Sequence, residues 1–91
     1  MISIGVPKLN MQVNVSFYSY FKDLTGCSET KEMLPEASSI DTLLGLLTSR
    51  FPRLATMRKS TLIAVGVEYQ NGDYVLKDGD VVSLFPPVQG G

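Results

Sequence analysis

The residues whose types and position could do chemistry stand at the end of the chain. The sequence closes on Gly90 and Gly91, and these follow Phe85, Pro86 and Pro87. Glycine has no Cβ, so the last two residues could thread a channel too narrow for any side chain. From Pro86 to Gly91 an extended chain reaches about 20 Å, at roughly 3.3–3.6 Å per residue. The ending therefore predicts a reactive C-terminal carboxylate, and the alternative is a frayed terminus that happens to end in glycine.

No other residue has the sequence surroundings of a catalytic group. The chain has no histidine, which removes the commonest general base and metal ligand. The single cysteine, Cys27, lies between Gly26 and Ser28 with no histidine to activate its thiol, so we interpret it as inert. One cysteine cannot form an internal disulfide, which favours a reducing compartment and leaves no structural metal site. We expect the chain to be non-catalytic alone and to bind no cofactor or metal itself.

Length and composition limit the function classes further. A chain of 91 residues that is 44% hydrophobic and has a net charge of −1 is expected to form one soluble domain. The near-neutral charge argues against nucleic acid as a partner. No apolar run approaches the ~20 residues of a membrane helix, and we expect a cytosolic protein. We predict an N-terminal extension over 1–11, a folded domain over 12–85 and a mobile tail over 86–91.

The hydrophobic pattern predicts the elements that must hold this tail. Alternating residues indicate a strand over 12–18, and a helical turn over 20–24 is expected to end at Gly26. Charged residues suit 29–34 to an edge strand. A helix is predicted over 40–51, with Ser38 or Ser39 as its N-cap, on the apolar stripe of Ile40, Leu43, Leu44, Leu47 and Phe51. Further strands are expected over 61–67 and 80–85, and one helix against such a sheet is an α+β two-layer domain.

Two features of the second half leave alternatives open. Asn71-Gly72 is a strong local turn signal and would pair 67–70 with 73–76 in a hairpin. Four basic residues between the helix and the next strand form either a solvated face or a docking patch: Arg50, Arg53, Arg58 and Lys59.

The ending has a specific resemblance. Asp78 to Val82, followed by Leu84-Phe85-Pro86-Pro87-Val88-Gln89-Gly90-Gly91, resembles the end of the small, sulfur-carrier subunit of molybdopterin synthase. Further matches run over 13–26, 40–51 and 63–65, so the resemblance covers roughly residues 12–91. It implies a β-grasp, ubiquitin-like fold, with a mixed five-stranded sheet against one main helix. In that fold strands 12–18 and 80–85 are parallel and central, and the hairpin turn moves to Gly66-Val67, which we follow.

The resemblance also implies a function. A ubiquitin-activating-type adenylyltransferase would use ATP to adenylate the carboxylate of Gly91, and sulfur would then replace the adenylate to give a thiocarboxylate. The large subunit of molybdopterin synthase, in a heterotetramer, would transfer that sulfur to cyclic pyranopterin monophosphate. Residues expected to contact these partners are Phe85, Pro86, Pro87, Val88, Gln89 and Gly90. An aromatic residue beside a proline suits an interface anchor, with a core position as the alternative for Phe85.

Other functions remain open at this point. The chain could carry sulfur for another pathway, such as thiamine or cysteine synthesis or tRNA thiolation. It could also be a ubiquitin-like protein modifier, or an interaction domain whose tail is inert. These alternatives differ in what becomes attached to Gly91: a sulfur atom, a target lysine or nothing.

Overall fold

The computed structural model describes residues 10–55 and 61–86. Five strands and two helices follow one another in the order β1 (Asn10–Phe17), α1 (Phe21–Thr25), β2 (Glu29–Pro35), α2 (Ile40–Arg50), β3 (Leu62–Val65), β4 (Glu68–Tyr69) and β5 (Val81–Phe85). A further single helical turn covers 52–55. The predicted mixed five-stranded sheet with one main helix is confirmed.

The sheet has the strand order β2-β1-β5-β3-β4. Its two central strands, β1 and β5, are parallel, with Asn14 opposite Val81 and Phe17 opposite Leu84. The other neighbouring pairs are antiparallel. β2 lies at one edge, as its charged residues predicted. Because β5 is hydrogen-bonded on both sides, the residue that precedes the tail stands on a rigid base.

β1 begins two residues before the predicted position 12. Met11, which the sequence analysis assigned to the N-terminal extension, is 3% exposed and lies opposite Leu34 of β2. The prediction was wrong at this boundary because Asn10 and Met11 continue both the alternation and the ladder to β2. Residues 1–9 of the predicted extension lie outside the described residues.

The α2 helix packs its apolar stripe on one face of the sheet. Its N-cap is Ser39, whose hydroxyl accepts a hydrogen bond from the backbone N–H of Thr42 at 3.3 Å. The buried helix residues are Ile40, Leu43, Leu44 and Leu47, and they share one core with residues of the central strands: Val13, Val15, Phe17, Val82 and Leu84. The stripe therefore has the packing role that its spacing predicted, and truncating one such leucine to alanine would cost about 2–5 kcal/mol.

The hairpin turn lies at Gly66-Val67, as the resemblance implied. Gly66 has a φ of 62°, which glycine adopts without steric cost. Asn71-Gly72 belongs instead to the loop over 71–76, which covers the N-terminus of α2. The carbonyl oxygens of Tyr74 and Gly72 accept from the N–H groups of Ile40 and Asp41 at 3.0 and 2.8 Å. These two N–H groups lack partners within the helix, so the loop satisfies them.

One charged residue of β2 faces the core. Glu32 is 4% exposed and lies beside Val13 in the sheet. Its carboxylate accepts hydrogen bonds from the guanidinium of Arg50 and, at 2.9 Å, from the hydroxyl of Thr30. Arg50, one of the four basic residues considered above, thus forms an ion pair with Glu32 that connects α2 to β2. Arg53 is exposed, and Arg58 and Lys59 lie outside the described residues.

Candidate functional site

The candidate site begins where β5 ends. Phe85 is the last residue of β5, and Pro86 follows it; both are half-buried. The carbonyl oxygen of Leu84 accepts from the N–H of Tyr18 at 3.1 Å, which extends the pairing of β1 and β5 almost to the tail. The remaining predicted site residues, including Gly91, lie outside the described part of the chain. The structure therefore describes the site only up to Phe85 and Pro86, the residues that precede the rest of the tail.

Phe85 is part of an aromatic cluster and not of the core. Its ring stacks on Tyr18, with centroids 4.6 Å apart and an interplanar angle of 17°. The ring of Tyr69 meets it edge-on, with centroids 6.5 Å apart. Phe85 and Tyr69 belong to β5 and β4, and Tyr18 directly follows β1. The three rings lie on the sheet face opposite α2, which no described helix covers. Of the two alternatives for Phe85, the structure supports a surface position.

The cluster belongs to a larger apolar surface, which we call the aromatic face: Tyr18, Leu62, Tyr69, Val81 and Phe85. Tyr18 is 45% exposed and Tyr69 is 70% exposed, although both are large and carbon-rich. Strand alternation places these residues on one side, since their neighbours Phe17, Val82 and Leu84 point into the core. Large apolar side chains gathered on an open sheet face are typical of a protein-binding surface.

Small residues form the floor of the aromatic face. Ser83 of β5 lies opposite Ala64 of β3, and Ala64 lies opposite Tyr69 of β4. Ser83 and Ala64 are each 8% exposed, although no described helix covers this side of the sheet. Larger residues flank them on the same face, Val81 and Phe85 on β5 and Leu62 on β3. The aromatic face is therefore a shallow depression with a small-residue floor and a rim of large side chains.

Cys27 lies at the end of the sheet where β1 and β5 both finish. It is half-buried against the core, and its thiol is 3.7 Å from the hydroxyl of Thr25. That hydroxyl donates to the carbonyl oxygen of Cys27 itself at 2.9 Å, so it is engaged in the turn. No residue that would stabilise a thiolate is hydrogen-bonded to Cys27 within 10–55 and 61–86. Its interpretation as inert stays a prediction.

Two features are absent from the described ranges, a cluster of metal ligands and a membrane-spanning helix. No group of three or more acidic, cysteine or histidine side chains within them is placed to hold a metal ion. No helix there is long and apolar enough to cross a membrane.

Residues 15–91 match the ThiS family, which is 77 of the 91 residues by these bounds. The chain belongs to the ThiS family. A molybdopterin synthase sulfur carrier subunit of Aedes aegypti is 33% identical over 89 residues, covering 89% of this chain and 90% of the relative. The predicted family is thereby confirmed, and with it the resemblance read from the C-terminal residues.

Solved structures share the fold. A protein described as subunit 1 of molybdopterin converting factor from Pyrococcus furiosus has a TM-score of 0.79 and 31% identity, covering 86% of this chain and 99% of that one. One chain in the structure of the complex of subunits 1 and 2 of molybdopterin-converting factor from Helicobacter pylori matches with a TM-score of 0.64 and 29% identity, covering 89% of this chain and 100% of that chain. The fold is therefore the β-grasp, ubiquitin-like fold that the resemblance implied.

Proposed function

We propose that this ThiS-family chain is the sulfur carrier subunit of a molybdopterin synthase. The observation that supports the proposal most directly is the position of the aromatic face beside the base of a Gly-Gly tail. A partner that docks on this face receives the tail in its own active site. The naming of the Aedes relative as a molybdopterin synthase sulfur carrier subunit favours this pathway over thiamine synthesis, cysteine synthesis or tRNA thiolation.

The chemistry takes place at the carboxylate of Gly91. A free carboxylate is a poor electrophile, so an adenylyltransferase of the ubiquitin-activating type first joins it to AMP from ATP, with release of pyrophosphate. Hydrosulfide from the sulfur source then attacks the acyl carbon, and the carbon–oxygen bond to AMP breaks, so that AMP leaves with its electron pair. The product is a thiocarboxylate, which donates its sulfur to cyclic pyranopterin monophosphate in the large subunit.

The partners supply every catalytic group. This chain has no histidine to act as a general base, and the described residues hold no cluster that could bind a metal ion. Its contribution is to place one carbonyl carbon correctly, and misplacing a reacting atom by about 1 Å can cost on the order of a hundredfold in rate. A rigid central strand, β5, followed by Pro86 is suited to that task, because proline restricts the backbone where the tail leaves the sheet.

The aromatic face is the docking surface in this proposal. Tyrosine is among the residue types that most often dominate the energy of an interface, and Tyr18 and Tyr69 both lie on the rim. The large subunit and the adenylyltransferase must each take up the same tail. Both therefore approach the end of the sheet where Phe85 and Pro86 lie, and they bind in turn. The Helicobacter pylori complex of subunits 1 and 2 supports a large-subunit partner, and we propose a heterotetramer.

Deletion of Gly91 tests the proposal. The shortened chain should keep its melting temperature and still bind the cognate large subunit, because the aromatic face is intact. Sulfur transfer should fall to background in the complex reconstituted with the adenylyltransferase, ATP and a sulfur source. Normal transfer by the shortened chain would contradict the proposed function.

A further inference from the structure

The floor of the aromatic face contains a hydroxyl without a partner. Ser83 is 8% exposed, and alternation with Val82 and Leu84 aims its side chain away from the core. Its hydroxyl makes no hydrogen bond to any residue within 10–55 or 61–86. Yet no side-chain oxygen in these ranges is both fully buried and unpartnered. The hydroxyl therefore keeps an edge that is open to solvent at the bottom of the depression.

The position of the Ser83 hydroxyl affects the free energy of association when a partner covers the aromatic face. Water can satisfy the hydroxyl in the free chain, but a docked partner removes that water. A buried hydroxyl left without a hydrogen bond weakens association unless the partner provides one. Across the sheet lie Ala64, which has no polar side-chain atom, and Ser16 of β1, whose hydroxyl is not hydrogen-bonded to that of Ser83 within the described residues.

We propose that Ser83 is a specificity-determining residue of the docking surface and forms a hydrogen bond with the large subunit. The matching group is a backbone carbonyl or amide, exposed between apolar side chains of the segment that fills the depression. A surface that is only apolar would accept any apolar segment of suitable shape. One hydroxyl at its centre discriminates against segments that cannot pair with it, because such a segment would leave the hydroxyl buried and unsatisfied. This inference rests on the proposed function, which supplies the partner.

The test compares hydroxyl with methyl at one position. Ser83→Ala removes the hydroxyl, while Ser83→Thr and Ser83→Val have nearly the same shape and differ only in hydroxyl against methyl. Affinity for the cognate large subunit is measured by titration calorimetry, and the melting temperature of each free chain is recorded. Ser49→Ala is the control, because Ser49 is exposed on α2, in the other layer of the fold.

The expected result is a loss of affinity without a loss of stability. Ser83→Ala should bind about five- to tenfold more weakly, the worth of one net hydrogen bond, and Ser49→Ala should bind as the unchanged chain does. Ser83→Thr should bind more tightly than Ser83→Val by a similar factor. If both larger variants fail to fold, the affinity of Ser83→Ala relative to that of the unchanged chain tests the inference by itself.

Two results would overturn the inference. Equal or tighter binding by Ser83→Ala would show that the hydroxyl has no partner in the complex. If Ser83→Thr and Ser83→Val weaken binding equally and Ser83→Ala binds as the unchanged chain does, only the size of the side chain at position 83 matters. Both leave the proposed function intact, because the unchanged chain still binds. Failure of the unchanged chain to bind the large subunit would instead contradict the proposed function, and the inference with it.

Discussion

Tyr18 at the end of β1 and Phe85 at the end of β5 stack with their ring centroids 4.6 Å apart and an interplanar angle of 17°. The stack joins the two parallel central strands at the point where the tail begins. It lies on the open side of the sheet, where Tyr18 remains 45% exposed. The same pair of rings therefore fixes the base of the tail and forms part of the surface beside it.

Replacing Tyr18 by alanine should weaken docking far more than folding. The stack contributes about 0.5–1.5 kcal/mol, so the free energy of unfolding should fall by a similar amount. Affinity for the large subunit should fall by tenfold or more, since truncating a central aromatic residue of an interface commonly costs about 2 kcal/mol. Binding titrations and thermal melts of the free chain measure the two effects separately.

Met33→Ala is the matched control for this prediction. Met33 is also a large apolar residue, is 55% exposed and lies on the same side of the sheet, opposite Gln12. It stands on the edge strand β2, however, away from the aromatic face. Its replacement should leave the affinity unchanged within twofold, a margin of roughly 0.4 kcal/mol. Equal loss by both variants would mean that the docking surface extends over the whole sheet.

Two glycines near α2 should respond in opposite ways to alanine. A Cβ at Gly72 would overlap the carboxylate of Asp41, whose N–H donates to the carbonyl oxygen of Gly72 at 2.8 Å. That carboxylate is the exposed end of a flexible side chain that can move aside, so Gly72→Ala should lower the free energy of unfolding only slightly, by about 0.5 kcal/mol. A Cβ at Gly45 meets no atom within 4 Å, and Gly45→Ala should raise stability by about 0.5–1 kcal/mol.

Urea unfolding of the two variants measures both effects. If Gly72→Ala proves as stable as the unchanged chain, the carboxylate of Asp41 moves aside at no measurable cost. The Gly45 variant also reports on the helix alone, because Gly45 lies off the buried stripe.

Much of this fold could be predicted from local patterns. The stripe from Ile40 to Leu47 predicted α2 because its spacing matches one face of a helix, and Ser39 signalled where the helix begins. The parallel pairing of β1 and β5 and the turn at Gly66-Val67 came only with the resemblance. Local turn chemistry favoured a hairpin turn at Asn71-Gly72. In the structure the carbonyl oxygen of Gly72 instead accepts a hydrogen bond from the N–H of Asp41 in α2, a contact that exists only in the folded protein.

The sequence predicted partner contacts at Phe85 and Pro86, but it could not predict the other rings beside Phe85 or the ion pair of Glu32. Tyr69 and Phe85 lie on β4 and β5 and Tyr18 directly follows β1, so only the strand order brings their rings together. The sequence marks Glu32 only as one of the charges that suit 29–34 to an edge strand. Its partner, Arg50, is 18 residues away, and only the packing of α2 on β2 shows why a carboxylate can face the core.

Gly90→Ala tests the steric argument for the double glycine. The substitution adds one methyl group next to the reactive residue and changes no charge. Stability should stay within about 0.5 kcal/mol, as for surface changes away from special features. Sulfur transfer in the reconstituted complex should fall by about a hundredfold, because a Cβ would displace the carbonyl in a narrow channel. Gln89→Ala, which removes atoms from the tail, serves as its control.

Two outcomes would contradict the prediction for Gly90→Ala. Unchanged sulfur transfer would show that the partner's channel has room for a side chain, and the steric argument would be withdrawn. A lowered melting temperature would show that the tail contributes to the folded body.

The central claim is that the C-terminal carboxylate of Gly91 becomes a thiocarboxylate. The most direct measurement is the intact mass of the chain after incubation with its cognate adenylyltransferase, ATP and a sulfur source. The account predicts a gain equal to the mass difference of sulfur over oxygen, dependent on ATP, located at Gly91 by fragmentation and absent when Gly91 is deleted. An unchanged mass, or branched conjugates that join Gly91 to lysines of other proteins, would contradict it.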